Sequence, residues 1–404
     1  MNSTLFEKKP DQAPKSELGW APFRLAFRPF FLFGSLFSCI SLLAWNGLLN
    51  GQLVLEVYGN PLWWHTHEML FGFVAAIVAG FLLTAVQTWT QLPSVKGIQL
   101  MGLFLLWLSA RVLMWIPNSV SPWVILILDL LFLPMTAFIM ARLVLRAKLW
   151  RNLMFVPLLL AMTLANGCMH YAVLTQQPGW DTQAAEAMVI LVTLLMCILG
   201  GRVFPMFTAN GTQTGRVQAL GWLEKTSVAS LLAVFITQVL VPDAPAWLTA
   251  SLLFASAALQ ALRAFRWRIW VTFGTPLVWP LHISYWCIPL GLALLGWSEI
   301  GQGVTRSQAI HSLTVGAMGI MILAMISRVS LGHTGRVIQV GKIMSTAFIF
   351  LVLAFLVRVF GSYFYANYLH LLTFSTLLWT AGYSGFVIAN FPVLTQPRID
   401  GKPG

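Results

Sequence analysis

Charge is what this sequence has least of. Only 9% of its 404 residues are Asp, Glu, Lys or Arg, whereas a soluble globular domain carries about 25%. A chain so poor in charge cannot clothe a water-facing surface, and a soluble enzyme or binding domain is excluded on that ground. Acid is scarcer than base, 12 residues against 24. Cysteine is also sparse. Cys39, Cys168, Cys197 and Cys287 all lie in apolar segments and none belongs to a CxxC pair, which excludes a disulfide framework and a zinc ribbon. No linker is long enough to separate two soluble domains. The first apolar run has no small-residue cleavage site after it, so it reads as a retained first span and not a removed signal peptide.

What the sequence has instead is long apolar segments. The hydrophobic class makes up 58%, and a membrane span needs about 20 mostly apolar residues. Twelve windows qualify, at about 30–49, 65–88, 97–116, 122–145, 152–174, 182–205, 218–241, 246–264, 275–297, 307–329, 343–361 and 366–390. Short turns such as "QLPSVKG", "IPNSVSP", "TQQPGWD" and "VPDAP" separate them. The fold expected is all-α, a polytopic bundle of twelve transmembrane helices over 29–392. It is preceded by a cytoplasmic segment over 1–28 and followed by a cytoplasmic tail over 393–404. With both termini inside, every Lys and Arg falls on the cytoplasmic side except Arg111, Arg306 and Arg358, the asymmetry that the positive-inside rule describes. The net charge of +12 is thus read as topology signal and lipid-headgroup contact. It is not read as a nucleic-acid footprint, and no nucleic-acid partner is expected. A bacterial inner membrane, crossed many times, is the plainest location.

Ionisable groups inside a bilayer are costly, so each is a site candidate. "WWHTHEMLFGF" (Trp63–Phe73) opens the second window with His65, His67 and Glu68. His65 and Glu68 are three apart, a spacing that shares one helix face, and Glu68 is the supporting carboxylate expected there. His65 and His67 are two apart and diverge by about 200° on a regular helix. They share one metal only if the helix start is irregular. Below Glu68, at steps of four, come Gly72, Ala76 and Gly80. They make either a groove for a flat macrocycle or a close helix contact. Arg111 suits either a buried carboxylate, Glu68 or Asp129, or a haem propionate. His311 opens the tenth window, with Met318 and Met325 following at heptad spacing. Histidine and methionine suit Cu(I) or haem iron, while a methionine stripe also fills cores. His282, His333, Arg202 and Arg328 lie toward the inner side. There the two arginines either contact a cofactor or snorkel to headgroups. His170 and His370 are weaker candidates, because little that is ligand-like flanks them.

These segments resemble the NnrS family of polytopic haem- and copper-containing membrane proteins. The similar stretches are "FRPFFL" (Phe27–Leu32), "WHTHEMLFGF" (Trp64–Phe73), "GFLLTAVQTWT" (Gly80–Thr90) and "GGRVFPMFTAN" (Gly200–Asn210). "PLVWPLHISYWCIPLGLALL" (Pro276–Leu295) and "HSLTVGAMGIMILAMISRVSLGHTGR" (His311–Arg336) complete them. One departure is "QTWTQLP" (Gln87–Pro93), where an Asn-Trp-Thr-Gly pattern is expected. The resemblance implies a role in nitric oxide metabolism and tolerance of nitrosative stress, often alongside denitrification. It also implies haem of b type and copper as cofactors, and nitric oxide or iron nitrosyl species as partners beside the lipid bilayer. It names no electron donor and settles no reaction. The family's motif histidines fall on His65, His67, His282, His311 and His333. Two alternatives stand beside a protein that binds or processes nitric oxide at a metal centre. One is a catalytic nitric oxide reductase or oxidase of haem–copper type, although the adjacent His-His pair of that class is absent. The other is a transporter of haem, copper or a nitrosyl complex.

Overall fold

The computed structural model describes residues 21–402 apart from Pro242 and Gln302. The first 20 residues, which hold most of the expected N-terminal segment, and the last two lie outside the described residues.

Each of the twelve apolar windows lies on a helix. In chain order these are α1 (Phe27–Leu49), α2 (Pro61–Thr90), α3 (Gly97–Leu113), α4 (Pro122–Arg146), α5 (Phe155–Thr175) and α6 (Trp180–Thr212). The second half comprises α7 (Gly221–Leu240), α8 (Ala246–Arg266), α9 (Trp279–Glu299), α10 (Arg306–His333), α11 (Lys342–Phe360) and α12 (Tyr368–Thr395). No strand occurs among the described residues. Eleven of the helices are long and apolar enough to cross a membrane. The exception is α3, apolar but 17 residues long. Its window was expected to run to 116, but the helix stops at Leu113 and the chain turns through Pro117–Ser119.

Local chemistry sets the entry to the two helices that matter most. Asn60 caps α2, its side chain accepting from the Leu62 and Trp63 amides at 3.0 and 2.9 Å, and Pro61 takes the first helical position. Both are preferred residues at a helix start. A reciprocal capping box between Thr305 and Gln308 starts α10. About two turns later each helix widens into a π-helical stretch, Glu68–Val74 in α2 and Ser312–Gly319 in α10. Such stretches are rare and gather at functional sites.

The bundle is inside-out in the manner of membrane proteins: large apolar side chains such as Phe138, Leu164, Ile343 and Ile388 face outward, while polar groups are buried within. Small residues allow close helix approach. A Cβ on Gly80 would lie 2.9 Å from Phe30 Cβ, and one on Gly72 would lie 2.7 Å from Phe37 and 2.8 Å from Arg111 Nη1. The Gly72–Ala76–Gly80 stripe is therefore filled by α1 and by Arg111 of α3. It is a packing seam and leaves no room for a macrocycle. At the far end the Ala21 amide donates to the Thr395 carbonyl at 2.8 Å, which ties the two ends of the described chain together.

Candidate metal and cofactor sites

His65 and His67 leave the start of α2 in different directions, and each enters a separate construction. The His65 ring stacks on Trp45 of α1, centroids 3.9 Å apart and planes at 17°. Its Nδ1 is buried with no hydrogen-bond partner. The ring lines a cavity of about 680 Å³, whose wall also carries His311, Met69, Met318, Trp63, Trp379, Arg306 and Arg358. That volume suits a small-molecule or cofactor site. His311 reaches the cavity from α10. Its Nδ1 lies 2.7 Å from the Ser307 carbonyl and its Nε2 lies 3.2 Å from Arg358 Nη2. A backbone carbonyl can only accept, so Nδ1 carries the proton and Nε2 presents a lone pair.

The two arginines of the cavity differ. Arg306 is bound on three sides, by Glu186 at 2.5 Å, Glu299 at 2.5 Å and Gln238 at 2.9 Å. Arg358 touches Ser307 Oγ at 3.1 Å, His311 Nε2 and the Tyr368 ring. It has no carboxylate partner among the described residues. A guanidinium beside an imidazole and without a carboxylate partner makes that corner of the cavity ready for an anion.

His67 turns the other way and is fully buried. Its Nδ1 lies 3.0 Å from Glu68 Oε1, and its Nε2 lies 2.8 Å from Asn166 Oδ1 and 3.1 Å from Asp129 Oδ2. His170 of α5 meets the same Asp129 oxygen at 3.1 Å through Nε2, and Tyr58 Oη at 3.3 Å through Nδ1. Arg111 bridges Glu68 and Asp129, so of its two readings the structure shows the carboxylate pair. Glu68 thus joins His67 and Arg111 and does not support His65. The helix is regular up to Glu68, whose amide still donates to the Trp64 carbonyl; Glu68 parts from His65 because its carboxylate is held by His67 Nδ1 and Arg111. Tyr58 lies in the segment before α2, and burial pushes its hydroxyl up to about 12, so it stays protonated at neutral pH. Trp63 stacks on His67 with centroids 4.7 Å apart and also lines the cavity, so one indole separates the two constructions.

The remaining candidates, Met318 excepted, lie apart from both. His282 Nε2 is 2.8 Å from Thr208 Oγ1, and its ring packs on Phe204. His333 packs on Phe27, and its carbonyl accepts from Arg398 at 2.8 Å. The two share no contact, so each is tied to its own neighbours. Arg202 donates to Asn152 Oδ1 at 2.9 Å and lies over Phe155, and Arg328 lies over the Phe207 ring at 4.0 Å. Neither lines the cavity. Met318 does and Met325 does not. His370 is exposed and stacks on Tyr365.

Several contributors escape a reading of the sequence. Asn166 lies one turn before His170, a spacing that could have been noticed, but amides in spans are common packing residues. Trp45 and Tyr58 carry no signal at all. A further buried cluster stands between α6, α7, α8 and α9. There Arg263 pairs with Glu224 and donates to Tyr285 Oη at 2.8 Å and to the Cys197 carbonyl at 2.8 Å. Tyr285 in turn donates to Gln260 at 2.6 Å. Arg263 is only 2% exposed, so this cation is a core ion pair and not a headgroup contact.

Helices of this length and composition, with outward apolar faces and buried ionic groups, define a multi-pass membrane protein with candidate metal ligands in its interior. The chain belongs to the NnrS protein family, whose model matches residues 21–398, nearly the whole length. Membership points to a role in the response to nitric oxide and to metal binding. No curated relative matches the chain.

Proposed function

We propose that this chain is a haem-bearing protein of the bacterial inner membrane that binds or processes nitric oxide. In this reading all twelve helices cross the bilayer, and both termini are cytoplasmic. The observation that supports it is the meeting of His65 and His311, from two helices far apart in sequence, on the wall of one apolar cavity.

The residues present fit a flat, aromatic, anionic, metal-bearing group of the haem class. Trp45 and Trp379 offer ring faces, Arg358 offers an unpaired cation for a propionate, and His65 Nδ1 is a buried polar atom without a partner. His311 is the better-oriented ligand, because its Nδ1 proton is committed to Ser307 and a metal would take the Nε2 lone pair that now accepts from Arg358. A haem bound there would supply the iron at which nitric oxide coordinates. The chain's own contribution is to orient the imidazole, neutralise the carboxylates and exclude water through the apolar wall. Met69 and Met318, which line the same cavity, make Cu(I) the alternative occupant, since soft thioethers select it.

The test is the absorption spectrum of the purified protein with metal analysis. The expected result is a haem Soret band at one equivalent per chain that shifts on addition of nitric oxide. A preparation that binds no haem on reconstitution, or whose band is indifferent to nitric oxide, sinks the reading.

A further inference from the structure

The geometry points to a second, separate site, for one divalent first-row transition-metal ion, held by His67 Nε2, His170 Nε2, Asp129 Oδ2 and Asn166 Oδ1 between α2, α4 and α5. This inference does not rest on the haem reading, because none of these four atoms belongs to the cavity.

Four observations carry it. The first is convergence. The donor atoms of His67, Asp129 and His170 all lie within 4.8 Å of one another. Both imidazole nitrogens stand 3.1 Å from the same Asp129 oxygen, and Asn166 Oδ1 stands 2.8 Å from His67 Nε2. Ligands bonded to one ion at about 2.1 Å lie about 3 Å apart at octahedral angles and about 3.4 Å apart at tetrahedral ones.

The second is the shell behind the ligands. Each imidazole has a partner on its other nitrogen, Glu68 Oε1 at 3.0 Å for His67 and Tyr58 Oη at 3.3 Å for His170. A carboxylate or oxygen acceptor on the rear nitrogen fixes the tautomer and turns the front nitrogen toward a metal. The third is charge. Glu68 and Asp129 bring two negative charges and Arg111 one positive, and all three are at most 5% exposed. Arg111 lies on Asp129 Oδ1 and Glu68 Oε1, leaving Asp129 Oδ2 to the two histidines and to Asn166 Nδ2, which donates to it at 2.6 Å, and Glu68 Oε2 is buried with no partner. One negative charge is left uncompensated in a buried place, which a bound cation relieves. The fourth is access. Tyr58 lines a surface groove of about 840 Å³ with Glu56 and Asp181 on its wall, an acidic approach that favours cations. The donor set is nitrogen and oxygen without sulfur, which selects a divalent ion and not Cu(I).

Zinc is the probe. Full-length protein in detergent is stripped with a chelator and titrated with Zn(II), with bound metal counted and the zinc-edge X-ray absorption recorded, an edge to which haem iron does not contribute. One equivalent is expected, with two imidazoles, oxygen donors and no sulfur. His170→Ala should abolish it. Tyr58→Phe, which keeps the ring and removes only the rear acceptor, should weaken it about 10- to 100-fold. His65→Ala and His311→Ala should leave it intact whatever they do to haem. Should His170→Ala fail to fold, the imidazole count at the zinc edge and the Tyr58→Phe titration decide alone. The inference is overturned by three results: no stoichiometric zinc in the native chain, meaning a cluster closed by a proton alone, sulfur at the zinc edge, or full-strength binding in both Tyr58→Phe and His170→Ala.

Discussion

His65 and His67 stand two residues apart on one helix and live in opposite physical worlds. The His65 ring faces an apolar cavity, leans on Trp45 and leaves a nitrogen without a partner. The His67 ring has a polar neighbour at both nitrogens and belongs to a network of six side chains from four helices. An underused imidazole beside empty space is arranged for a ligand the chain does not itself supply. A saturated one is arranged to hold the bundle together, with or without an ion at its centre. One segment thus separates loading from holding, and the indole of Trp63 is the partition.

Substitutions can break that contrast, and they should rank differently by stability and by cofactor content. Arg111→Ala has the largest expected cost. It leaves Glu68 and Asp129 facing each other in a buried site, a loss of roughly 3–5 kcal/mol, visible as a collapse of the thermal transition or of monodisperse protein in detergent. His67→Ala removes one partner of two carboxylates and an amide and should cost roughly 1–3 kcal/mol. His65→Ala forfeits only its stacking on Trp45, about 0.5–1.5 kcal/mol. By Soret absorbance the order inverts: His65→Ala and His311→Ala should lose haem, while His67→Ala should keep it. If His67→Ala and His65→Ala lose haem equally, the two histidines serve one centre and the partition is fictitious.

Gly72→Ala sharpens the same contrast from the packing side. A methyl group there meets Phe37 at 2.7 Å and Arg111 Nη1 at 2.8 Å. Both are ends of side chains and can yield in part, so the cost should be about 1–3 kcal/mol. The displaced guanidinium should disturb the His67 network before the cavity, so in Gly72→Ala zinc affinity should fall while the haem spectrum stays native. The reverse outcome would mean that the seam beneath Glu68 belongs to the haem pocket after all.

The helical architecture was legible because it rests on composition. Long apolar runs bounded by Pro, Gly and Asn can only be helices in a bilayer, and each window met one. The neighbourhood of the site was legible too, since Trp63–Phe73 and His311 are conspicuous in so apolar a chain. The pairing was not. Helical arithmetic joined His65 to Glu68, but spacing along one helix does not show that Arg111 of another helix and the neighbouring His67 hold the Glu68 carboxylate. His170 looked isolated because its partners come from elsewhere in the chain, Asp129 from α4 and Tyr58 from the segment before α2. Nothing in the sequence sets Arg263 apart from the other basic residues of the cytoplasmic side, although it pairs with Glu224 in the interior. What a single chain conceals is which polar groups meet, since that depends on rotations of whole helices about their axes.

The smallest effect should come from the histidine that sequence spacing places nearest the cavity's edge. His370 stands on the first turn of α12, next to Tyr368 and Leu369, which do line the cavity. Yet its own ring is exposed and lies parallel to Tyr365, with Tyr365 Oη 3.0 Å from its Nδ1. An exposed contact of that kind is worth little, and surface substitutions away from special features stay within about 0.5 kcal/mol. His370→Ala should therefore leave the thermal transition, the Soret band, its nitric oxide shift and the zinc count where they were. The variant is informative because it is the only one of these substitutions to remove an imidazole at the histidine-rich end without touching either construction. A lost or shifted Soret band in His370→Ala would show that the cavity's ligand set extends along α12, and that the division between loading and holding drawn at Trp63 is in the wrong place.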